Sequence, residues 1–438
     1  MVAVGGSIGT GLLLGSGAAI KIAGPAVILS FAFSAFIAWT VTRAVRELAT
    51  LHPAAGSFGL YAEIYLNSWS SFVSRYGFWI ALSIAIGSEL IASATYMSYW
   101  FPQAQPIFWV LVFAALLLLV NLLSVGRYGR FEYGFAMVKV VIIFLFLMIG
   151  GTLLLSQHIV PQYTSNGGFF PNGIFAPARA MSFALFTFGG IELLAVSSGE
   201  SRSVAEISPA ARTAFALLAF LYLGAIVVLV GVMPWNGAGV AESPFVSVFR
   251  AAKFPAVSHI MNFVVLSAAL SGANASLYAD SRILFSLARD GYAPSVFGKL
   301  TASGSPLPAL MLSSFGISLA LIMGKWAPSS AYVFLLGSAL FGLLFCWLVI
   351  LAAHIVLRRQ NSRGAARSIS YRLGTWLSAL GGLAILFSLV ATWWASRVIV
   401  VSGIIYLVLL TLFYWVMKKA RPITIGSETS RSEPGEVN

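Results

Sequence analysis

Long apolar runs, separated by short polar connections, divide the chain into twelve stretches at about 1–23, 25–49, 69–101, 105–124, 133–155, 177–201, 212–233, 256–289, 307–325, 329–356, 374–393 and 397–417. Each is close to or longer than the roughly 20 residues of helix that cross a bilayer core of about 30 Å. The pattern predicts an all-α integral membrane protein with 12 transmembrane helices, forming a single membrane domain over 1–421. The longest connections, 156–176 and 234–255, leave no room for a separate soluble domain, so any chemistry takes place within the spans. Residues 422–438 are polar and poor in apolar positions, the composition of a disordered end.

Two of the stretches are interrupted. The first carries Gly5-Gly6-Ser7-Ile8-Gly9-Thr10-Gly11 near its start, and the sixth carries Phe186-Thr187-Phe188-Gly189-Gly190-Ile191-Glu192 at mid-span. Glycine costs a helix interior roughly 1 kcal/mol relative to alanine. Backbone that unwinds in hydrocarbon leaves polar groups unsatisfied at several kcal/mol each, so such a break survives where it lines a cavity. Free N–H groups there attract an anion and free carbonyls a cation, which together suit the two ends of a zwitterion. Broken helices at corresponding places in two five-helix halves point to an inverted repeat with its site at the midplane. The halves would be about 1–155 and 177–356, with helices 11 and 12 (374–417) outside the repeat. Two other readings of the first break are weaker. The pairs Gly5/Gly9 and Gly11/Gly15 also suit close helix packing, and Gly9-x-Gly11 is no dinucleotide fingerprint because no strand precedes it.

Composition agrees with the pattern: 59% of residues are apolar and 9% charged, too little charge to cover a soluble globule. The net charge of +13 does not mark a nucleic-acid surface, because it follows the spans. Nineteen lysines and arginines fall on one side of the alternating connections, against six (Lys21, Arg179, Arg250, Lys253, Lys325 and Arg397) on the other. The positive-inside rule then places both termini in the cytoplasm, in a multi-pass protein of the cell (inner) membrane. The N-terminus lacks the pattern of a cleaved signal. Cys346, the lone cysteine, is read as packing. His52, His158, His259 and His354 show no metal-ligand spacing, so no metal and no cofactor is expected.

Ionisable groups inside a membrane are costly and are functional candidates by default. Glu89 in the third stretch, Lys139 in the fifth and Glu192 after the second break are the three. For Glu192 a structural role, accepting N–H groups that the break frees, is an equal alternative. Lys139 is too deep to snorkel easily to either surface, and a lysine there can take up and release a proton while its charge excludes a sodium ion, which suggests proton coupling. Glu132, seven residues earlier, is better read as a solvated partner of Arg130 than as part of an exit path. Phe186 and Phe188 flank the second break, where a ring can close over a substrate or simply pack.

From residue 3 to about 360 the chain resembles the amino-acid permeases of the amino acid-polyamine-organocation (APC) superfamily. The likeness lies in GGSIGTGLLLGSG, AGPAV, RELATLHPAAGSFGLYAEIY, SELIASATYMSYWFP, VGRYGRFEYGFAMVKVVII, FTFGGIELLAVSSGES, ALSGANASLYADSRILFSLARDGYAP, and Trp347 followed by AAHIVLRR. It is greatest to the bacterial proton-coupled branch, which includes aromatic amino acid, proline, lysine and γ-aminobutyrate permeases. The resemblance implies the APC/LeuT-like 5+5 inverted repeat with discontinuous helices 1 and 6, and transport by alternating access. It also implies that Ile8, Gly9, Thr10 and Gly11 hold a substrate carboxylate, that Ser7, Phe186 and Gly189 hold its amino group, and that Lys139, Glu89 and Glu192 match residues of proton-coupled carriers. Relatives begin with a basic tail and a longer first half-helix, whereas Met1 to Gly6 alone precede the break here. The chain as written is therefore expected to seal the cytoplasmic side weakly and to be poorly active.

The sequence thus predicts a secondary transporter, not an enzyme, that imports an α-amino acid, preferably neutral, by proton symport. Exchange of an amino acid against an amine, or transport of a cationic amino acid, uses the same residues. A channel is disfavoured because nothing resembles a repeated selectivity filter. A membrane enzyme is disfavoured because no nucleophile is placed beside a base. Which amino acid is carried, and the oligomeric state, are not legible from these residues.

Overall fold

Gly24, at φ +61°, divides the first long apolar run into two helices. Glycine alone takes that φ without strain, and a Cβ there would run into Pro171. The run Gly11–Leu51 is 41 residues long, about 60 Å of helix at 1.5 Å per residue and twice the thickness of a bilayer core. The 3-10 turn Gly24–Ala26, with Pro25 inside it, makes it two elements of bilayer length or less.

The computed structural model describes residues 7–52, 57–123, 128–155, 162–192, 204–301, 304–360 and 369–420, among which helix is the regular structure. A wide π-helical turn, Gly11–Gly15, leads into α1 (Ser16–Ala23), α2 (Val27–Leu51), α3 (Ser57–Tyr65) and α4 (Ser68–Ser98). Then come α5 (Pro106–Leu123), α6 (Tyr128–Leu155), α7 (Ala176–Thr187), α8 (Val204–Val232), α9 (Pro244–Ala251) and α10 (Pro255–Arg289). The chain continues through α11 (Leu307–Ser313), α12 (Phe315–Trp326), α13 (Ala331–Gln360), α14 (Ile369–Ala395) and α15 (Arg397–Ala420).

Nine helices among the described residues are long and apolar enough to cross a membrane. The expected twelve differ from that number for three reasons. The first two stretches, though parted at Gly24, count as the one helical run Gly11–Leu51, the fourth is short at Pro106–Leu122, and the sixth stops at Thr187 because it is broken. Two short helices, α3 and α9, stand where the sequence pattern predicts only connections.

α4 is the central column. Of its most apolar window 83% is buried, against 22% for Tyr133–Leu155 of α6, so α6 turns most of its surface outward. α4 packs most extensively on α13 and α10, and also on α12, α5 and α3. α1 and α2 instead pack on α7, and α2 on α8. In terms of the expected crossings, the first packs on the sixth, the second on the seventh, the third on the eighth and the fourth on the ninth. Small residues allow this closeness, since dispersion between well-fitted helices replaces a hydrophobic drive in lipid. A Cβ on Gly316 of α12 would run into the Ser83 carbonyl of α4, and one on Gly87 would lie 2.6 Å from the Gly316 carbonyl.

Candidate functional site

Regular helix fails at Ile8 and Gly9 and resumes through the wide turn Gly11–Gly15. Widened turns of this kind expose backbone groups that an α-helix would pair, and they recur at functional sites. Side chains from other elements take up the freed carbonyls. Tyr222 of α8 donates its hydroxyl to the Ser7 carbonyl at 2.7 Å, and Tyr332 of α13 donates to the Thr10 carbonyl at 2.8 Å. Ser243, just before α9, donates to the Leu13 carbonyl at 2.7 Å. On the donor side, the Thr10 N–H reaches the Glu89 carboxylate of α4, at 3.2 Å from Oε1 and 3.4 Å from Oε2.

The second break is built differently. α7 ends at Thr187, and the Phe188 and Gly189 N–H groups bond back to the carbonyls of Leu185 and Phe186 at 3.0 and 2.9 Å. Gly190 follows at φ +99° and donates its N–H to Glu192 Oε1 at 2.9 Å. The other oxygen, Oε2, accepts the indole N–H of Trp347 from α13 at 3.0 Å. Glu192 is 1% exposed, and both of its oxygens hold the break in shape, which is the geometry of the structural alternative.

The two breaks meet. A Cβ on Gly190 would lie 2.7 Å from Ser7 Oγ, and one on Gly11 would lie 3.0 Å from the Thr187 Cα. Around this crossing is a cavity. The first break contributes Ser7, Gly9 and Gly11 to its wall, and the second contributes Phe186, Thr187, Gly189, Gly190 and Glu192. α4 supplies Phe78, Ala81, Leu82, Ala85 and Glu89, spaced as one helical face, while Ser276 of α10 and Ala339 and Leu343 of α13 close the rest. The charged lining groups are two carboxylates, each already accepting a backbone N–H.

Of the residues singled out in the sequence, Ser7, Gly9, Gly11, Phe186, Gly189, Glu89 and Glu192 line this one cavity. Ile8 and Thr10 are fully buried beside it. Phe188 turns away and sets its ring edge-on to Tyr222, with centroids 5.2 Å apart. Lys139 is 2% exposed, on the inner face of a helix that otherwise looks outward, and its charge acts on Glu89. The side chain of Glu132 lies outside the described residues, as do Gly5 and Gly6.

Tyr222, Tyr332, Ser243 and the role of Trp347 are not legible in the sequence, because aromatics and serines are common in every stretch. The α4 wall has a signal that could find it: helical spacing counted N-terminally from Glu89 gives Ala85, Leu82, Ala81 and Phe78. Tyr222→Phe leaves the Ser7 carbonyl without its cap, and an unsatisfied buried group costs about 1–3 kcal/mol. The expected result is a lower unfolding temperature in detergent. A shift no larger than that of Tyr163→Phe, whose hydroxyl caps Val227 at an exposed position, would show that the cap does not hold the break.

The amino acid permease family model matches residues 1–422. Among its relatives, the aromatic amino acid transport protein AroP of Escherichia coli (strain K12) is 33% identical over 403 residues, covering 90% of this chain and 88% of that protein. The gamma-aminobutyric acid permease of Bacillus subtilis (strain 168) is 33% identical, covering 86% of this chain and 81% of the permease. A putative histidine permease of the same bacterium is 35% identical over 85% of this chain and 81% of its own length.

Proposed function

From the premise that the chain belongs to the amino acid permease family, a family of multi-pass membrane transporters rather than enzymes, we propose that it imports a neutral α-amino acid by proton symport and alternating access. The observation that carries the reading is the meeting of both breaks on one cavity, with the Glu89 carboxylate on the Thr10 N–H.

The first break offers donors to a substrate carboxylate at Ile8, Gly9, Thr10 and Gly11, and the carbonyls of Ser7, Phe186 and Gly189 accept from its ammonium group. The substrate side chain then lies against Phe78, Ala81, Leu82, Ala85, Ala339 and Leu343. These walls favour a neutral substrate, since no cationic group lines them and both acids are engaged with backbone.

Proton coupling follows from electrostatics. A carboxylate arriving at the first break comes beside Glu89, and two like charges a few ångströms apart out of water repel by about 4 kcal/mol at an effective dielectric of 20. A proton on Glu89 removes that repulsion and loosens its hold on Thr10, so substrate and proton are admitted together. Lys139, whose charge acts on Glu89, is the second station for the proton and stands where a sodium ion would be repelled. Release follows when α1, α7 and their neighbours rock against the α4 column. The charge bias of the connections supports a cytoplasmic-membrane location with both termini inside.

The test is uptake of labelled amino acids into vesicles under an imposed pH gradient. Accumulation that follows the gradient supports symport. Stimulation by sodium alone overturns it, and counterflow without proton movement points instead to exchange.

A further inference from the structure

Asp280 of α10 is a fully buried acid outside the machinery described above. Its Oδ2 accepts the Ser83 hydroxyl of α4 at 2.5 Å. The Ser313 hydroxyl of α11, which accepts the Trp79 indole N–H at 2.9 Å, lies close to the carboxyl group. Oδ1 has no hydrogen-bond partner among the described residues. Nor does any charged side chain among them act on the group: α4 presents Ser83 and Trp79, and α11 presents Ser313. Arg282, two residues along α10, lies over the Tyr278 ring, 3.3 Å from its centroid.

A carboxylate buried without a counter-charge costs several kcal/mol, and more so within a membrane span. Something must neutralise it. A hard metal cation takes six or more oxygen ligands, whereas this site offers one carboxyl group and two hydroxyls, one of them already engaged by Trp79. A proton needs only the one oxygen that is left over. The place is also telling. Ser276, one turn earlier on α10, lines the cavity, so Asp280 sits about 6 Å along the helix axis from it, toward the end at Arg289 that the charge bias assigns to the cytoplasm.

We propose that Asp280 is a further proton-binding site, apart from Glu89 and Lys139, filled and emptied as the cavity opens to one side and then the other. Its use in the cycle builds on the symport reading, but its binding of a proton does not. The first measurement therefore needs no transport: infrared difference spectra of the purified protein in lipid across a pH titration. A carboxylic-acid carbonyl band that titrates in the native protein and is lost in Asp280→Asn is the expected result, and identical spectra for the two overturn the proposal. Should Asp280→Asn fail to fold, Ser83→Ala serves, because removing the hydroxyl on Oδ2 shifts both the band and its midpoint. An unshifted band counts against the site. The second measurement is proton flux per amino acid in proteoliposomes, with a labelled mixture of neutral amino acids as probe. Asp280→Asn should lower it by one proton per substrate, and an unchanged ratio removes Asp280 from the cycle. If the native protein moves no protons with substrate, the symport reading fails, while the infrared titration still decides whether Asp280 binds one.

Discussion

Lys139→Ala is expected to abolish accumulation against a gradient, with the internal-to-external ratio of labelled amino acid falling to unity. The lysine is 2% exposed on a helix whose apolar window is only 22% buried. It therefore occupies the narrow inner strip of α6, and its charge is felt by Glu89. Lys139→Ala removes that positive charge from the field at Glu89, and a buried carboxylate with less compensating charge around it is costly. Glu89 is then balanced chiefly by Thr10, and the proton loses its second station. Lys139→Arg is the informative control, since arginine keeps the charge but does not release a proton in proteins. It should restore the folded protein at the membrane without restoring accumulation. Concentrative uptake that persists unchanged in Lys139→Ala would remove the lysine from the mechanism.

Gly190→Ala is expected to eliminate uptake altogether. Two costs add at this position. The backbone stands at φ +99°, where a side chain is strained by about 1–3 kcal/mol. The new Cβ also lies 2.7 Å from Ser7 Oγ and 3.1 Å from Ser7 Cα. The first contact can be relieved by moving a hydroxyl, but the second cannot, because Ser7 is pinned by Tyr222 on its carbonyl. The substitution therefore pushes the two breaks apart. Combining it with Ser7→Gly removes the Oγ and Cβ contacts but not the backbone contact or the strain, so rescue should be partial, and a double-mutant cycle measures the coupling. Normal uptake by the single variant would show that the breaks need not touch.

The breaks themselves are legible in the sequence because a cluster of glycines inside an apolar run is at odds with a continuous helix. The same holds for Glu89, Lys139 and Glu192, since charge in hydrocarbon is conspicuous in any sequence. What these groups bond is not legible. Thr10 and Glu89 are 79 residues apart, and Glu192 and Trp347 are 155 apart. No local periodicity encodes such pairings. Phe188 shows the limit well: it flanks the break as closely as Phe186 does, yet, two residues on and just past the end of α7, it turns to Tyr222 and away from the cavity. Asp280 is hidden for a different reason. Arg282 and Arg289 follow it closely near the end of the stretch 256–289, so it reads as part of a charged helix end, whereas its neighbours α4 and α11 leave it fully enclosed. α3 and α9 escape the sequence pattern because eight or nine residues, apolar as these are, fall well short of the length that marks a span.

The caps on the two breaks divide the work of recognition in a way that bears on how such a protein diversifies. Tyr222, Tyr332 and Ser243 hold the broken backbone from behind, Trp347 does so through Glu192, and none of the four lines the cavity, while Phe78, Ala81, Leu82, Ala85, Ala339 and Leu343 form its wall and hold none of the backbone. The part that would read what every amino acid shares is thus insulated from the part that would read what distinguishes one from another. A lineage can trade a methyl for a ring in the wall, and so change its diet, without reopening the problem of how to keep a helix unwound in oil.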